Sequence, residues 1–265
     1  MLERAAIPVP RLTAEVLLCH ALRRDRAYLY AHATDELSEV GWIHFGRYLH
    51  ERLNGKPTQY ITRRQEFYGR DFFVDQAVLI PRPETEHLVE AAVAAVRARG
   101  YNRVLDVGTG SGAIAISVAL ETGRLVMASD VSLDALRVAE RNRAALEAPV
   151  AFFAGDLAAA VRSASIDLLL SNPPYVPASD KANVQREVRE WEPEVALYGG
   201  ESGNEVYGRL IEQACTTVRS GGQLMMELGY RSVDFVLPRL AENFKDVRVL
   251  DDLAGLPRVV IAERR

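Results

Sequence analysis

From Glu84 to the C-terminus this 265-residue chain alternates helical and strand patterns, and that alternation leaves few folds open. Strands separated by helices cannot pair as hairpins. Each crossover returns the chain in the same direction, so the strands lie parallel with helices on both faces. The periodicity predicts helix 84–98, strand 103–107, helix 111–121, strand 124–129, helix 133–146 and strand 150–153, then strand 166–171, helix 204–218, strand 222–228 and helix 231–241. Two further strands, 246–251 and 257–262, are joined through Asp252-Leu253-Ala254-Gly255-Leu256-Pro257, too short for a helical crossover, and should pair antiparallel. The expectation is an α/β fold with a Rossmann-like seven-stranded sheet, mostly parallel with an antiparallel C-terminal strand.

The residues before this region read differently. Leu12, Val16, Cys19 and Leu22 recur at helical spacing, as do Trp42, Phe45, Leu49 and Leu53 between Ser38 and Gly55. Gln59-Tyr60-Ile61-Thr62 and the pair 66–68 and 71–74 around Gly69-Arg70 have the aromatic and β-branched content of strands. The expected domains are a small helical docking domain over 1–56, a β-hairpin linker over 57–83 and a catalytic domain over 84–265.

In parallel sheets, ligands gather where strands end. Asp106-Val107-Gly108-Thr109-Gly110-Ser111-Gly112 follows the first strand and forms a glycine turn that a cofactor can approach closely. The spacing alone leaves a dinucleotide open, since Ala113 stands where that pattern tolerates alanine. The Asp106 carboxylate would repel a pyrophosphate but suits a ligand carrying an ammonium and a sulfonium, such as S-adenosylmethionine. Asp130 ends the second strand, placed to bond ribose hydroxyls. Asp156 and Leu157 follow the third, placed to hold adenine by its amino group and face. The expected cofactor residues are therefore Gly108, Thr109, Gly110, Ser111, Gly112, Asp130, Asp156 and Leu157.

Asn172-Pro173-Pro174-Tyr175 follows the strand at 166–171. Two consecutive prolines remove backbone donors and leave acceptors, the Asn172 carbonyl adds one more, and Tyr175 supplies a flat face. Such a site grips an NH2 group by both hydrogens, whether on a base or on an amide. Asn172, Pro173 and Tyr175 are the candidate catalytic residues, and Asn172, Pro173, Pro174 and Tyr175 the candidate substrate-binding residues.

Leu79-Ile80-Pro81-Arg82-Pro83-Glu84-Thr85-Glu86, Gln59-Tyr60-Ile61, Glu66-Phe67-Tyr68-Gly69, the Asp106–Gly112 loop and Ser171–Tyr175 together resemble the bacterial peptide chain release factor N5-glutamine methyltransferases, class I S-adenosylmethionine-dependent enzymes. The resemblance continues through Glu192-Pro193, Ala196-Leu197, Gly199-Gly200, Glu227-Leu228-Gly229 and Asp252-Leu253-Ala254-Gly255. It implies a methyltransferase sheet and methyl transfer to the glutamine of the Gly-Gly-Gln motif in class 1 release factors, with Asn172 to Tyr175 at the glutamine-binding positions and Asn172 also near the cofactor. S-adenosyl-L-homocysteine would be the product and translation termination the process affected. Arg63 departs from the family, standing where glycine is common, and Gly203-Asn204-Glu205 replaces its usual run.

Composition narrows the remaining classes. A net charge of −4, with 48% apolar and 26% charged residues, is that of an ordinary globular protein. No apolar stretch approaches a membrane span, and a cytoplasmic location is expected. Two cysteines, Cys19 and Cys215, read as thiols, and five scattered histidines lack ligand spacing, so no metal site is expected. The main rival is an adenine N6 or guanine N2 amino-methyltransferase acting on nucleic acid. Residues 1–75, however, carry 11 basic and 10 acidic side chains, a balance of +1 that suits protein docking better than a nucleic-acid clamp. A non-catalytic nucleotide-binding scaffold would leave Asn172-Pro173-Pro174-Tyr175 without a task.

Overall fold

A computed structural model describes residues 1–5, 7–229 and 231–265. The chain forms two compact units, one of residues 1–64 with 185–191 and one of residues 65–184 with 192–265.

The first unit contains α1 (Pro10–Leu22), α2 (Arg26–Ala31), α3 (Glu39–Leu53) and α4 (Thr58–Thr62), and later in the chain α8 (Arg186–Trp191). Ser38 caps α3 by accepting from the Gly41 amide at 3.1 Å. The apolar stripe expected on α3 is only partly used, because Trp42 is 62% exposed. Arg52 is buried instead, its guanidinium 2.5 Å from the Glu187 carboxylate of α8. The 59–62 segment is not a strand: it lies in α4, where Pro57 presets the helix start and Tyr60 and Ile61 are both buried. Burial of two adjacent bulky side chains outweighs their strand preference. Arg63 ends α4 at φ 60°, a left-handed conformation that explains why glycine would suit this position.

The second unit opens with the hairpin β1 (Gln65–Phe67) and β2 (Arg70–Phe72), whose turn residues Tyr68 and Gly69 both have positive φ. A 3-10 turn at Pro83–Thr85 leads into α5 (Glu86–Arg99). Then follow β3 (Val104–Val107), α6 (Ala113–Thr122), β4 (Val126–Asp130), α7 (Leu133–Leu146), β5 (Val150–Ala154) and β6 (Ile166–Ser171). Beyond these lie α9 (Glu194–Leu197), α10 (Glu205–Thr217), β7 (Val218–Glu227), α11 (Val233–Asn243), β8 (Phe244–Asp251) and β9 (Pro257–Arg264). The seven strands run in the order β5-β4-β3-β6-β7-β9-β8, with β9 antiparallel to both neighbours. This is the Rossmann-like, mostly parallel sheet expected from the alternation.

Alternate residues serve opposite faces, as a pleated strand requires. Val104, Leu168, Leu170 and Met225 pack with Leu88, Val89 and Ile116 of α5 and α6. Leu105, Val107, Leu169 and Met226 pack with Tyr207, Leu210, Val236 and Leu240 of α10 and α11. Among the described residues no helix is long and apolar enough to cross a membrane.

Candidate active site

Sheet register builds the site. β3 pairs with β4 on one side and with β6 on the other, so the chain reverses its direction of spread there and leaves a crevice at the strand ends. Val107 is level with Ser129 of β4 and Ser171 of β6, and Ser171 is level with Met226 of β7. The next residue of each strand therefore falls in one row across the crevice: Asp130, Gly108, Asn172 and Glu227. Three of these four were expected; Glu227 was not.

The glycine loop is held from β4. The amides of Gly108 and Thr109 donate to the Ser129 carbonyl at 2.9 and 3.0 Å, and the Gly110 amide donates to Asp130 Oδ2 at 2.8 Å. Asp130 Oδ1 accepts from the Ser132 amide at 2.9 Å, while Ser132 itself caps α7. Asp130 is thus a loop anchor and no helix cap. Each of its oxygens retains a second lone pair for hydroxyl groups. Burial raises its pKa, partly opposed by the amides it accepts from. Gly108 and Gly110 have φ of 70° and 54°, and a Cβ built on either meets nothing within 4 Å. This open backbone lip, beside an acid that can take ribose hydroxyls, fits an adenosyl ligand. Thr109 and Ser111 are buried in the same loop. Gly112 serves packing, since a Cβ there would lie 2.9 Å from Ile116 Cδ1 and 3.3 Å from Ala139 Cβ.

Asp106 presents no surface to the crevice. It shares the face of Val104, under α6, and is fully buried. Oδ2 accepts from the Thr109 hydroxyl at 2.6 Å, while Oδ1 has no hydrogen-bond partner among the described residues. Burial drives its pKa up to about 7 against the opposing Thr109 bond. Asp156 is exposed and ion-paired with Arg209. Leu157, at φ 54°, is half-buried against the α10–α11 core and accepts from the Ser129 hydroxyl through its carbonyl at 3.1 Å.

Asn172 leaves β6 with its side chain tied sideways: Nδ2 donates to Thr85 Oγ1 at 3.2 Å, and Thr85 Oγ1 donates to Glu227 Oε2 at 2.6 Å. Thr85 makes no capping bond to α5, which removes the helix-start account of this residue. Pro173 is buried and Pro174 half-buried. The Tyr175 ring lies on Gly229, where a Cβ would sit 2.8 Å from Cδ2. Burial, reinforced by Glu227, pushes the Tyr175 phenol up to about 12, so it remains neutral. The Tyr207 hydroxyl donates to the Glu227 carbonyl at 2.8 Å and accepts from the Gly229 amide at 3.0 Å, fixing the end of β7.

A second strut lies under Tyr175. The Val176 amide donates to the Leu197 carbonyl, the Gly199 amide to the Val176 carbonyl and the Ala178 amide to the Gly200 carbonyl, at 3.0, 3.0 and 2.9 Å. Gly203 approaches so closely that a Cβ would lie 2.5 Å from the Tyr175 carbonyl oxygen. Two further contacts were not foreseen. Buried Glu192 accepts from the Ile80 amide at 3.2 Å and from Arg82 at 2.5 Å, pinning the Leu79–Glu86 string. Buried Asn142 joins Phe73 to the Ser111 carbonyl, linking the hairpin to the glycine loop. A lone Glu or Asn gives no periodic signal, and only the folded partners reveal either residue.

Residues 1–62 match the PrmC N-terminal domain and residues 85–190 the methyltransferase small domain. The chain is 44% identical to the release factor glutamine methyltransferase of Koribacter versatilis (strain Ellin345), over 99% of this chain and 94% of that protein. Two solved structures share the fold. The E. cuniculi Mtq2–Trm112 complex, responsible for methylation of the eRF1 translation termination factor, aligns with a TM-score of 0.52 at 23% identity, covering 71% of this chain and 99% of that one. The T. thermophilus 16S rRNA N2 G1207 methyltransferase (RsmC), in complex with AdoMet and guanosine, aligns with a TM-score of 0.55 at 20% identity, covering 76% and 50%. At such identities these two speak for the fold alone. The near full-length relative carries more weight, and the chain belongs to the release factor glutamine methyltransferase family.

Proposed function

We propose that this chain methylates the side-chain amide nitrogen, N5, of the glutamine in the Gly-Gly-Gln motif of class 1 peptide chain release factors. The observation that carries the reading is the end of β6. There Asn172 is restrained by Thr85 and stands in one row with the glycine loop and Asp130. Family membership supports the amide over a base, and with it a release factor as the partner.

S-adenosyl-L-methionine supplies an electrophilic methyl on a sulfonium. Gly108 and Gly110 would hold it along their open backbone, Asp130 by the ribose hydroxyls, and Leu157 with Asp156 at the adenine, Asp156 having first to release Arg209. An amide nitrogen is a weak nucleophile because its lone pair is delocalised, so the protein's main contribution is orientation. The Asn172 carbonyl and the Pro173 carbonyl accept the two N–H groups of the glutamine, and Tyr175 covers its planar amide. As positive charge develops on nitrogen these fixed acceptors bind more strongly, which lowers the barrier. With its phenol held near 12, Tyr175 is no base at neutral pH, and the acidified nitrogen releases its proton to water.

The test offers labelled S-adenosylmethionine with an intact release factor, its Gln→Ala variant at Gly-Gly-Gln, and DNA or RNA. Label is expected on the intact factor alone. Equal label on the Gln→Ala variant, or label on nucleic acid in preference, would overturn the assignment.

A further inference from the structure

Asn172 can serve an incoming amide NH2 only if its oxygen faces that group, and an Asn side chain turned by a half-rotation would present a second NH2 instead. Something must choose between these two orientations. Thr85 has a single hydroxyl hydrogen. Its oxygen is 2.6 Å from Glu227 Oε2 and 3.2 Å from Asn172 Nδ2. An ionised carboxylate only accepts, so the hydrogen is committed to Glu227 and the Thr85 oxygen is left as an acceptor. The group that Asn172 turns toward Thr85 must then be a donor, its NH2, and Oδ1 points elsewhere.

We propose that Glu227, acting through the Thr85 hydroxyl, positions the Asn172 amide so that its oxygen receives the substrate NH2 group. The proposal rests on the glutamine reading above and deepens it. Glu227 and Thr85 touch no reacting atom in this scheme and are positioning residues. Both are buried, at 2% and 5% exposure, so water does not compete for either bond. The end of β7 that carries Glu227 is itself held by Tyr207 through the Glu227 carbonyl and the Gly229 amide.

Protonation of Glu227 would undo the choice. A neutral carboxyl can donate to Thr85, freeing the Thr85 hydrogen to point at Asn172 and allowing the amide to turn over. Burial holds the Glu227 carboxyl at about 7, with the Thr85 bond opposing; Arg258 on β9 and Arg82 lower it, and Glu84 raises it. Tyr175 and Tyr207 also face it and stay neutral throughout, since burial raises both phenols. Turnover should therefore rise with pH through the neutral range as Glu227 loses its proton.

The experiment compares Thr85→Val, Thr85→Ser and Glu227→Gln in the full-length chain, with an intact release factor and labelled S-adenosylmethionine. Thr85→Val keeps the shape and removes the hydroxyl. Its kcat is expected to fall on the order of 100-fold, as for a reacting group held about 1 Å out of place, with the cofactor dissociation constant changed by less than about threefold. Thr85→Ser restores the hydroxyl and should recover kcat to within about threefold of the parent. Glu227→Gln should lose the rise of kcat with pH that the parent shows. A second readout needs no turnover: in protein labelled with 15N-asparagine, exchange of the Asn172 side-chain NH2 with water should speed up in Thr85→Val. Equal losses in Thr85→Val and Thr85→Ser, a parent-like pH profile in Glu227→Gln, or unchanged Asn172 exchange would each overturn the proposal. A parent that never labels the release factor, while Thr85→Val still accelerates Asn172 exchange, refutes the substrate reading and supports the positioning chain.

Discussion

Asp106→Asn isolates the energetic cost of a charge under the glycine loop. The carboxyl is fully buried, takes one bond from Thr109 and leaves Oδ1 unpartnered. Folded, it holds its proton to about pH 7; unfolded, to about 3.8. The folded state binds this proton more tightly, so the group favours folding most at low pH, and stability drains away as pH rises from about 4 to 7. At 1.36 kcal/mol per tenfold change in proton affinity, the full span is about 4 kcal/mol, of which about 2.5 kcal/mol falls between pH 5 and pH 8. Asparagine does not titrate, and it can still accept from Thr109. Its NH2 would take the place of the unpartnered oxygen at a cost of about 1–3 kcal/mol that does not vary with pH. The expected signature is therefore a slope added to that constant offset: unfolding free energy of Asp106→Asn minus that of the parent should climb by about 2.5 kcal/mol from pH 5 to pH 8. Urea titrations followed by far-ultraviolet circular dichroism at four pH values measure it. Glu227 titrates in the same range but is common to both proteins and cancels in the difference. A difference that stays flat with pH would refute the account of Asp106 as a carboxyl held protonated by burial.

Asn172→Ala should lower kcat by about 100-fold or more while leaving S-adenosylmethionine affinity nearly unchanged, measured by single turnover and equilibrium binding; unaltered turnover would remove Asn172 from the reaction. Glu192→Ala strips the Ile80 amide and Arg82 of their acceptor. Because Arg82 is 34% exposed and regains water, the cost falls below that of a wholly buried pair, at about 2–3 kcal/mol. That predicts a melting temperature lower by about 5–10 °C, and a fall under about 2 °C would contradict it. Gly203→Ala places a Cβ 2.5 Å from the Tyr175 carbonyl oxygen at a residue whose φ is 82°, so it should depress kcat at least about tenfold with cofactor binding retained. Equal losses of both would mean that the loop supports the whole crevice and not the Tyr175 segment in particular.

The sheet and the edge where its strand ends converge were legible because they rest on repeating signals. Ile166–Ser171 and Leu133–Leu146 have the extents that their periodicity predicts, and the short Asp252–Leu256 connection does join antiparallel strands. Gly108, Asp130 and Asn172 each follow or end a predicted strand and so are visible as candidates in the sequence alone, while the row they form is a matter of sheet register. What stayed hidden depends on single contacts between distant residues. Glu227 meets Thr85 across 142 positions of sequence and Glu192 meets Arg82 across 110, and neither acid differs in sequence from a solvated one. Asp106 misled for a simpler reason. Its place before the turn suggested a ligand-facing charge, whereas strand alternation turns it with Val104 beneath α6. Thr58–Thr62 shows the opposite failure, a local preference overruled by where Tyr60 and Ile61 are buried.

The first unit is discontinuous, and this dictates an order of events during synthesis. Arg52 is buried against Glu187, and Trp191 stands beside Lys56, 5.8 Å from its ammonium to the ring centre. A ribosome that has released residues 1–64 has therefore released a helical unit whose central cation still lacks its counterion. Closure must wait through about 120 more residues, a span that includes β3 to β6 and the Asn172 loop. The N-terminal unit thus finishes late despite emerging first, and a fragment ending at Arg64 would carry Arg52 into its interior with the Lys56 carbonyl as acceptor but without its counterion.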